Sequence, residues 1–123
     1  MKALITALII FCSLLCEANE KENSIWSKQG NAVAFCLYEN ESKCYVIADK
    51  NIINVSQVEN ANIGKLGILR KSAYEKVLTT PVEWLDSGNE NLIVSFKTEA
   101  WLSGKKYTVT EPVLIKNGEY QQR

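Results

Sequence analysis

Leu92, Val94, Phe96, Thr98 and Ala100 alternate with Ile93, Ser95, Lys97 and Glu99. A period of two is the signature of a strand with one face toward a core and the other toward water. Ser103-Gly104 then supplies a two-residue turn, and Tyr107, Val109, Val113 and Ile115 resume the alternation on the return. Pairing positions whose numbers sum to 207 sets Ala100 opposite Tyr107, Thr98 opposite Val109, Val94 opposite Val113 and Leu92 opposite Ile115. All of these lie on one face, so the register is self-consistent. It also sets Phe96 opposite Glu111, beside Pro112, where a bulge or the end of regular pairing is expected because proline lacks the ladder N–H. Asn117-Gly118 marks a further turn before a short polar tail.

The rest of the chain is read against this hairpin. Ala32 to Tyr38 is an apolar run rich in strand formers, Glu39-Asn40-Glu41-Ser42 is turn-like, and Cys44 to Ile47 resumes an extended pattern. Together they read as a second hairpin, with Cys36 and Cys44 able to join across it. A strand is expected over Ile52 to Val58. Gly64 to Thr80 is ambiguous: a strand at Gly67 to Arg70 is favoured, followed over Ala73 to Leu78 by either a strand or a helical turn capped by Ser72 and Glu75. Asn19 to Gln29 is polar apart from Ile25 and Trp26 and reads as a loose arm. The expected fold is all-β: a small sandwich, immunoglobulin-like, or a partly open barrel of six to seven antiparallel strands, with room for one short helix. A cystine so short in sequence departs from the immunoglobulin pattern, whose bridge spans a long separation.

Residues 1–18 read as a cleavable signal peptide. Lys2 precedes an apolar run from Ala3 to Leu15, and Cys16 and Ala18 supply small side chains at the −3 and −1 positions of a cut after Ala18. The run is shorter than the ~20 residues that cross a bilayer. Lipidation at Cys16 is the alternative, although Leu15 occupies a place where a small residue is usual. Cleavage leaves residues 19–123 as one β-rich domain, destined for the periplasm or the exterior. It also removes Cys12 and Cys16, leaving Cys36 and Cys44 as an even pair in an oxidising compartment.

Charge and composition narrow the function. The chain has 14 Lys+Arg against 14 Asp+Glu and no His. Balanced, scattered charge gives no footprint for nucleic acid. Without His, the Ser-His-Asp, Cys-His and HExxH arrangements are closed, and two cysteines fall short of the four ligands of a structural zinc site. No cofactor or metal is therefore expected. Glu83, Asp86 and Glu90 cluster around Trp84, and two carboxylates can cleave a glycosidic bond, but acids flanking Ser87-Gly88-Asn89 read as a solvated turn. The calcium-loop pattern is absent.

Partner-binding candidates are Glu39, Asn40, Glu41 and Trp101. The first three form an acidic tip braced by the cystine, which would lose little entropy on docking; the other reading is a polar hairpin end. Trp101 shares the parity of the wet face. It is therefore either an exposed protein-binding anchor or a ring packed over Ile93 and Leu114. Asn40-Glu41-Ser42 and Asn54-Val55-Ser56 match the N-glycosylation triplet.

A leader at Met1 to Ala18, one short-range cystine and a β pattern without catalytic signature resemble, in general build, the small periplasmic inhibitors of bacteria. These include lysozyme inhibitors and immunity proteins against cell-wall hydrolases delivered by rival cells. The resemblance carries over no functional residue. It implies a non-catalytic protein, often a homodimer, that occludes the active-site cleft of a toxin or cell-wall hydrolase. The alternatives are a structural or adhesive envelope module and a small enzyme working with carboxylates alone.

Overall fold

The computed structural model describes residues 24–67, 70–88 and 90–122. The expected leader, its alternative at Cys16, the first part of the arm, and parts of the expected Gly67 to Arg70 strand and of the Ser87-Gly88-Asn89 loop lie outside them.

Two antiparallel sheets make up the fold. β1 (Ser24–Trp26), β2 (Ala32–Glu39), β3 (Glu41–Ala48) and β4 (Asn51–Asn54) form the first, and β5 (Lys76–Ser87), β6 (Asn91–Leu102), β7 (Lys105–Lys116) and β8 (Glu119–Gln121) the second. In each sheet the spatial order equals the chain order. Among the described residues the fold is thus mostly β and sandwich-like, with eight strands rather than six or seven and no closed barrel. Two successive meanders also replace the Greek-key connections of the immunoglobulin fold. Turn chemistry is the cause. Asp49-Lys50, Ser103-Gly104 and Asn117-Gly118 all have positive φ at both central positions. Such type I′ turns fold each strand back beside its predecessor.

The β6–β7 ladder runs unbroken from Asn91 opposite Lys116 to Leu102 opposite Lys105, in the register read from the sequence. The irregularity expected at Glu111 and Pro112 falls instead on the other side of β6. There β5 shifts register between Pro81 and Glu83 and between Trp84 and Asp86, and Val82 and Leu85 are turned outward. β8 pairs only with Leu114–Lys116, so Pro112 withholds no N–H from a strand on that side.

Three further expectations are corrected. The strand over Ile52 to Val58 stops at Asn54, where the Asn54 side-chain oxygen accepts the Ser56 N–H (2.9 Å) and turns the chain into α1 (Gln57–Leu66). Among the described residues the α-helix is therefore here and not at Ala73 to Leu78, where a 3-10 turn (Lys71–Ala73) leads through Tyr74 and Glu75 into β5. Within the arm, Ser24–Trp26 is a strand on β2. Its connection is pinned by the Ser27 hydroxyl, which donates to Asn31 Oδ1 (2.6 Å) and accepts the N–H of Asn31 and of Ala32 (each 3.2 Å).

Small side chains on one sheet meet large ones on the other. Ala32, Ala34, Cys36, Cys44, Val46 and Ala48 of the first sheet form one cluster with Trp84, Val94, Phe96, Val113 and Ile115 of the second, joined by Val55 before α1 and Val58 on it. Trp84 also donates its indole N–H to the Ile25 carbonyl (3.1 Å), tying β5 to β1. Beyond the reach of the first sheet, α1 covers the rest of the inner face through Ile63 on Val77 and Ala100. Val33 and Phe35 alternate onto the opposite face of β2 and are buried there too, Phe35 beside Tyr45 (ring centroids 5.6 Å). Burial on both faces explains why Ala32 to Tyr38 reads as a continuous apolar run.

Cys36 and Cys44 are directly opposite in the β2–β3 ladder and are joined by a disulfide. Replacing both by Ala frees a loop closed over a sequence separation of 8, and the chain-entropy relation gives a loss of about 2.5 kcal/mol. A fall in Tm of roughly 10–20 °C is expected for a domain of this size. Thermal unfolding followed by circular dichroism checks it; a fall under about 3 °C would show that the folded hairpin gains little from its bridge.

Candidate functional site

The β2–β3 tip is tight. Glu39 pairs with Glu41 across the ladder, and Asn40 alone turns the chain, with φ 71°. Nor does the tip stand free of the body. The buried Ser42 hydroxyl accepts the Thr79 N–H of β5 (2.9 Å), and the Glu41 carboxylate lies 3.6 Å from Lys71 Nζ. Lys76 Nζ, at the start of β5, sits 5.9 Å from the Tyr38 ring centre and 5.3 Å from that of Trp101. One cation thus links the hairpin to β6, each contact contributing about 0.5–1 kcal/mol at such exposure.

Of the residues singled out from sequence, Asn40 and Glu41 line a shallow cleft with Tyr38, Lys71, Ser72, Tyr74 and Glu75, of about 260 Å³. Trp101 stands at its flank through Lys76. Its ring is half-buried, and its carbonyl accepts the Glu75 N–H (2.7 Å). Glu39 is exposed and not part of the cleft wall.

A buried polar chain supports this cleft from behind. Glu59 on α1 is 1% exposed; its carboxylate accepts from Lys71 Nζ (3.0 Å) and from the Thr79 hydroxyl (2.6 Å). Thr79 and Thr98 hydroxyls are 2.8 Å apart, and Asn62 Nδ2 is 2.9 Å from Thr98 Oγ1 and 3.4 Å from the Phe96 carbonyl. An ionised carboxylate only accepts, so the direction of every bond follows from it. Thr79 gives its proton to Glu59, Thr98 gives its proton to Thr79, and Asn62 donates to Thr98. The chain fixes α1 on β5 and β6 and holds Lys71 at the cleft floor.

Glu59, Asn62, Lys71, Lys76 and Tyr38 were not singled out from sequence. Val58, Glu59, Asn62 and Ile63 do share one helical face. That spacing was the available signal, masked because two of the four are polar.

The carboxylates around Trp84 separate. Asp86 accepts the Gly88 N–H (3.0 Å), serving its own turn. Glu83 lies on the bulged part of β5, and Glu90 joins Asp49, Asn31, Asn51 and Asn117 around a second cleft, of about 320 Å³, at the opposite end of the sandwich. Among the described residues, no three His, Cys, Asp or Glu side chains group as metal ligands, and no helix is long and apolar enough to cross a membrane. No protein-family model matches the chain, and neither a curated protein nor a solved structure matches it, so the reading of the site rests on its own geometry.

Proposed function

We propose that the protein is an exported, non-catalytic binding protein of inhibitor or immunity type, which occludes the cleft of a cell-wall-degrading hydrolase or effector. The observation that supports this is the row Tyr38, Lys76 and Trp101, in which Lys76 of β5 lies between the Tyr38 ring on the cystine-braced hairpin and the Trp101 ring on β6, beside the cleft that holds Lys71. Aromatic rings alternating with a cation are the composition of protein-binding anchors. Here the disulfide, the Ser42–Thr79 bond and the Lys71–Glu59 pair fix them in advance, so little conformational freedom remains to be lost on docking. The acidic tip contributes less than its sequence implies, because Glu41 already faces Lys71. Glu39 would meet the partner at the margin. The periplasm or the exterior is the proposed location, and a homodimer the proposed form.

The test is a panel of purified peptidoglycan hydrolases assayed with and without the mature protein. Stoichiometric loss of one activity is expected, with Lys76→Glu plus Trp101→Ala weakening inhibition about 30-fold or more, the scale of two anchors lost, while Tm falls by about 5–15 °C for the two lost ring contacts and the folded circular-dichroism signal is retained. Glu39→Lys with Glu41→Lys should weaken it less. Inhibition indifferent to all four changes would remove this surface from the proposal.

A second reading, a structural or adhesive envelope module, is favoured by one feature. β8 covers only Leu114–Lys116 of the 12-residue β7, which leaves the remainder with a strand neighbour on one side among the described strands. Self-association in sedimentation, blocked by Thr108→Pro and accompanied by no hydrolase inhibition, would favour that reading.

A further inference from the structure

Between α1, β7 and β8 lies a third cleft, of about 240 Å³, lined by Val58, Ala61, Asn62, Pro112, Leu114 and Tyr120 among others. Its walls are mostly apolar. Lys65 of α1 and Glu111 of β7, both on its margin, pair at 2.8 Å and tie the two sides together. The hydrogen-bond chain that fixes α1 has a consequence at this wall. With Glu59 accepting at one end, Asn62 must present Nδ2 to Thr98 and the Phe96 carbonyl, which assigns the amide orientation by the network. Oδ1 is then left fully buried without a hydrogen-bond partner. It is a strong acceptor, and acceptors in such surroundings are nearly always satisfied.

We propose that this cleft binds a small neutral aromatic compound carrying one N–H donor, of indole type, with the ring against Val58, Leu114 and Tyr120 and the N–H given to Asn62 Oδ1. Three properties select that class. The cleft is smaller than the roughly 300–1,000 Å³ of sites for drug-sized ligands, so one ring system fills it. The charges at its margin already neutralise each other, so an ion gains nothing there. The orphan group is an acceptor, so the occupant must donate. Burial pushes the Tyr120 phenol up from its ordinary value, and the side chain offers an uncharged wall. Since Oδ1 is sealed from bulk water, the wall must part slightly to admit the donor. The site is separate from the surface of the proposed function, and inhibition of a hydrolase does not depend on it.

The experiment is a ¹H–¹⁵N NMR titration of the mature protein with indole and with 1-methylindole, which has the same ring and no N–H. Indole is expected to shift the Ala61, Tyr120 and Asn62 side-chain amide signals, and 1-methylindole to bind at least about tenfold more weakly, the factor for leaving the acceptor unpaired. Asn62→Leu should make the two ligands equal. Should that variant fail to fold, Ala61→Phe, which fills the cleft from an exposed helix position, should abolish indole binding at unchanged Tm. Equal affinity of the native protein for both compounds, binding undiminished in Ala61→Phe, or no shift at the cleft up to millimolar indole would each overturn the proposal.

Discussion

Replacing Lys71 by Met is expected to lower the unfolding free energy by about 3 kcal/mol, while Glu41→Gln, which removes the other carboxylate near the same ammonium, costs under about 0.5 kcal/mol. The two carboxylates differ in surroundings. Glu41 is a surface group with 57% of its side chain exposed, and such pairs contribute little. Glu59 is enclosed by α1 and β5 and has two partners, Lys71 and Thr79. Removing the cation leaves a carboxylate in the interior held by one hydroxyl. Breaking a buried pair from one side costs roughly 3–5 kcal/mol, and the lower end applies because about a third of the Lys71 side chain still reaches water. Lys71→Met combined with Glu59→Leu should regain most of the loss, since Thr79 keeps Thr98 as a partner and no charge remains to be solvated. Urea unfolding at constant m-value separates these variants. If Lys71→Met proved as mild as Glu41→Gln, the buried chain would not be what anchors the cleft floor. Faster amide exchange at Asn40 to Ser42 is expected in the same variant, because the tip loses its link to the 3-10 turn.

Local information accounts for what the sequence revealed of this fold. The β6–β7 hairpin was legible down to its register because a period-two pattern and a glycine-containing two-residue turn lie within a few residues of each other. The β2–β3 hairpin was legible for a similar reason, with the cysteines marking opposed positions. What escaped depends on distant partners. β1 has three residues and becomes a strand only through β2. In β5, Pro81 and two bulges break the alternation that would have announced the longest edge strand. α1 places Glu59 and Asn62 where apolar residues would normally report a helix. The immunoglobulin-like expectation failed on Asp49-Lys50, whose type I′ geometry is uncommon for a pair without glycine. At the site, Asn40, Glu41 and Trp101 were visible as polar-tip and wrong-parity residues. Lys71 and Lys76, which join them, were not, because a lysine on an exposed strand or turn carries no mark until the rings and carboxylates of other elements come beside it.

Phe96→Ala should be the most damaging single truncation, at about 3–5 kcal/mol, the range for a buried Phe reduced to Ala. The side chain is fully buried where the first sheet, the second sheet and α1 meet, and the residue's own carbonyl accepts from Asn62. It shares one buried cluster with Ala34, Cys36, Cys44 and Val46 of the first sheet, and short side chains on paired strands cannot extend to refill the space. Against a total stability of about 5–15 kcal/mol, the loss brings the domain near its unfolding threshold. Phe96→Leu, closer in volume, should cost about 1–2 kcal/mol, and Leu85→Ala on the outward bulge under about 0.5 kcal/mol. The variant also asks whether the two meanders are one cooperative unit. Trp84 reports on the second sheet through fluorescence, being the one buried Trp, and the Phe35–Tyr45 pair contributes a near-ultraviolet dichroism signal from the first. Both signals should be lost together in urea, at a midpoint lowered by the same amount, because Phe96 belongs to the core of both sheets. Loss of the Trp84 signal with the near-ultraviolet signal intact would mean that the cystine-braced hairpin and its neighbours hold together without the second sheet. In that case the rigidity of the Tyr38–Lys76–Trp101 row could not come from the shared core.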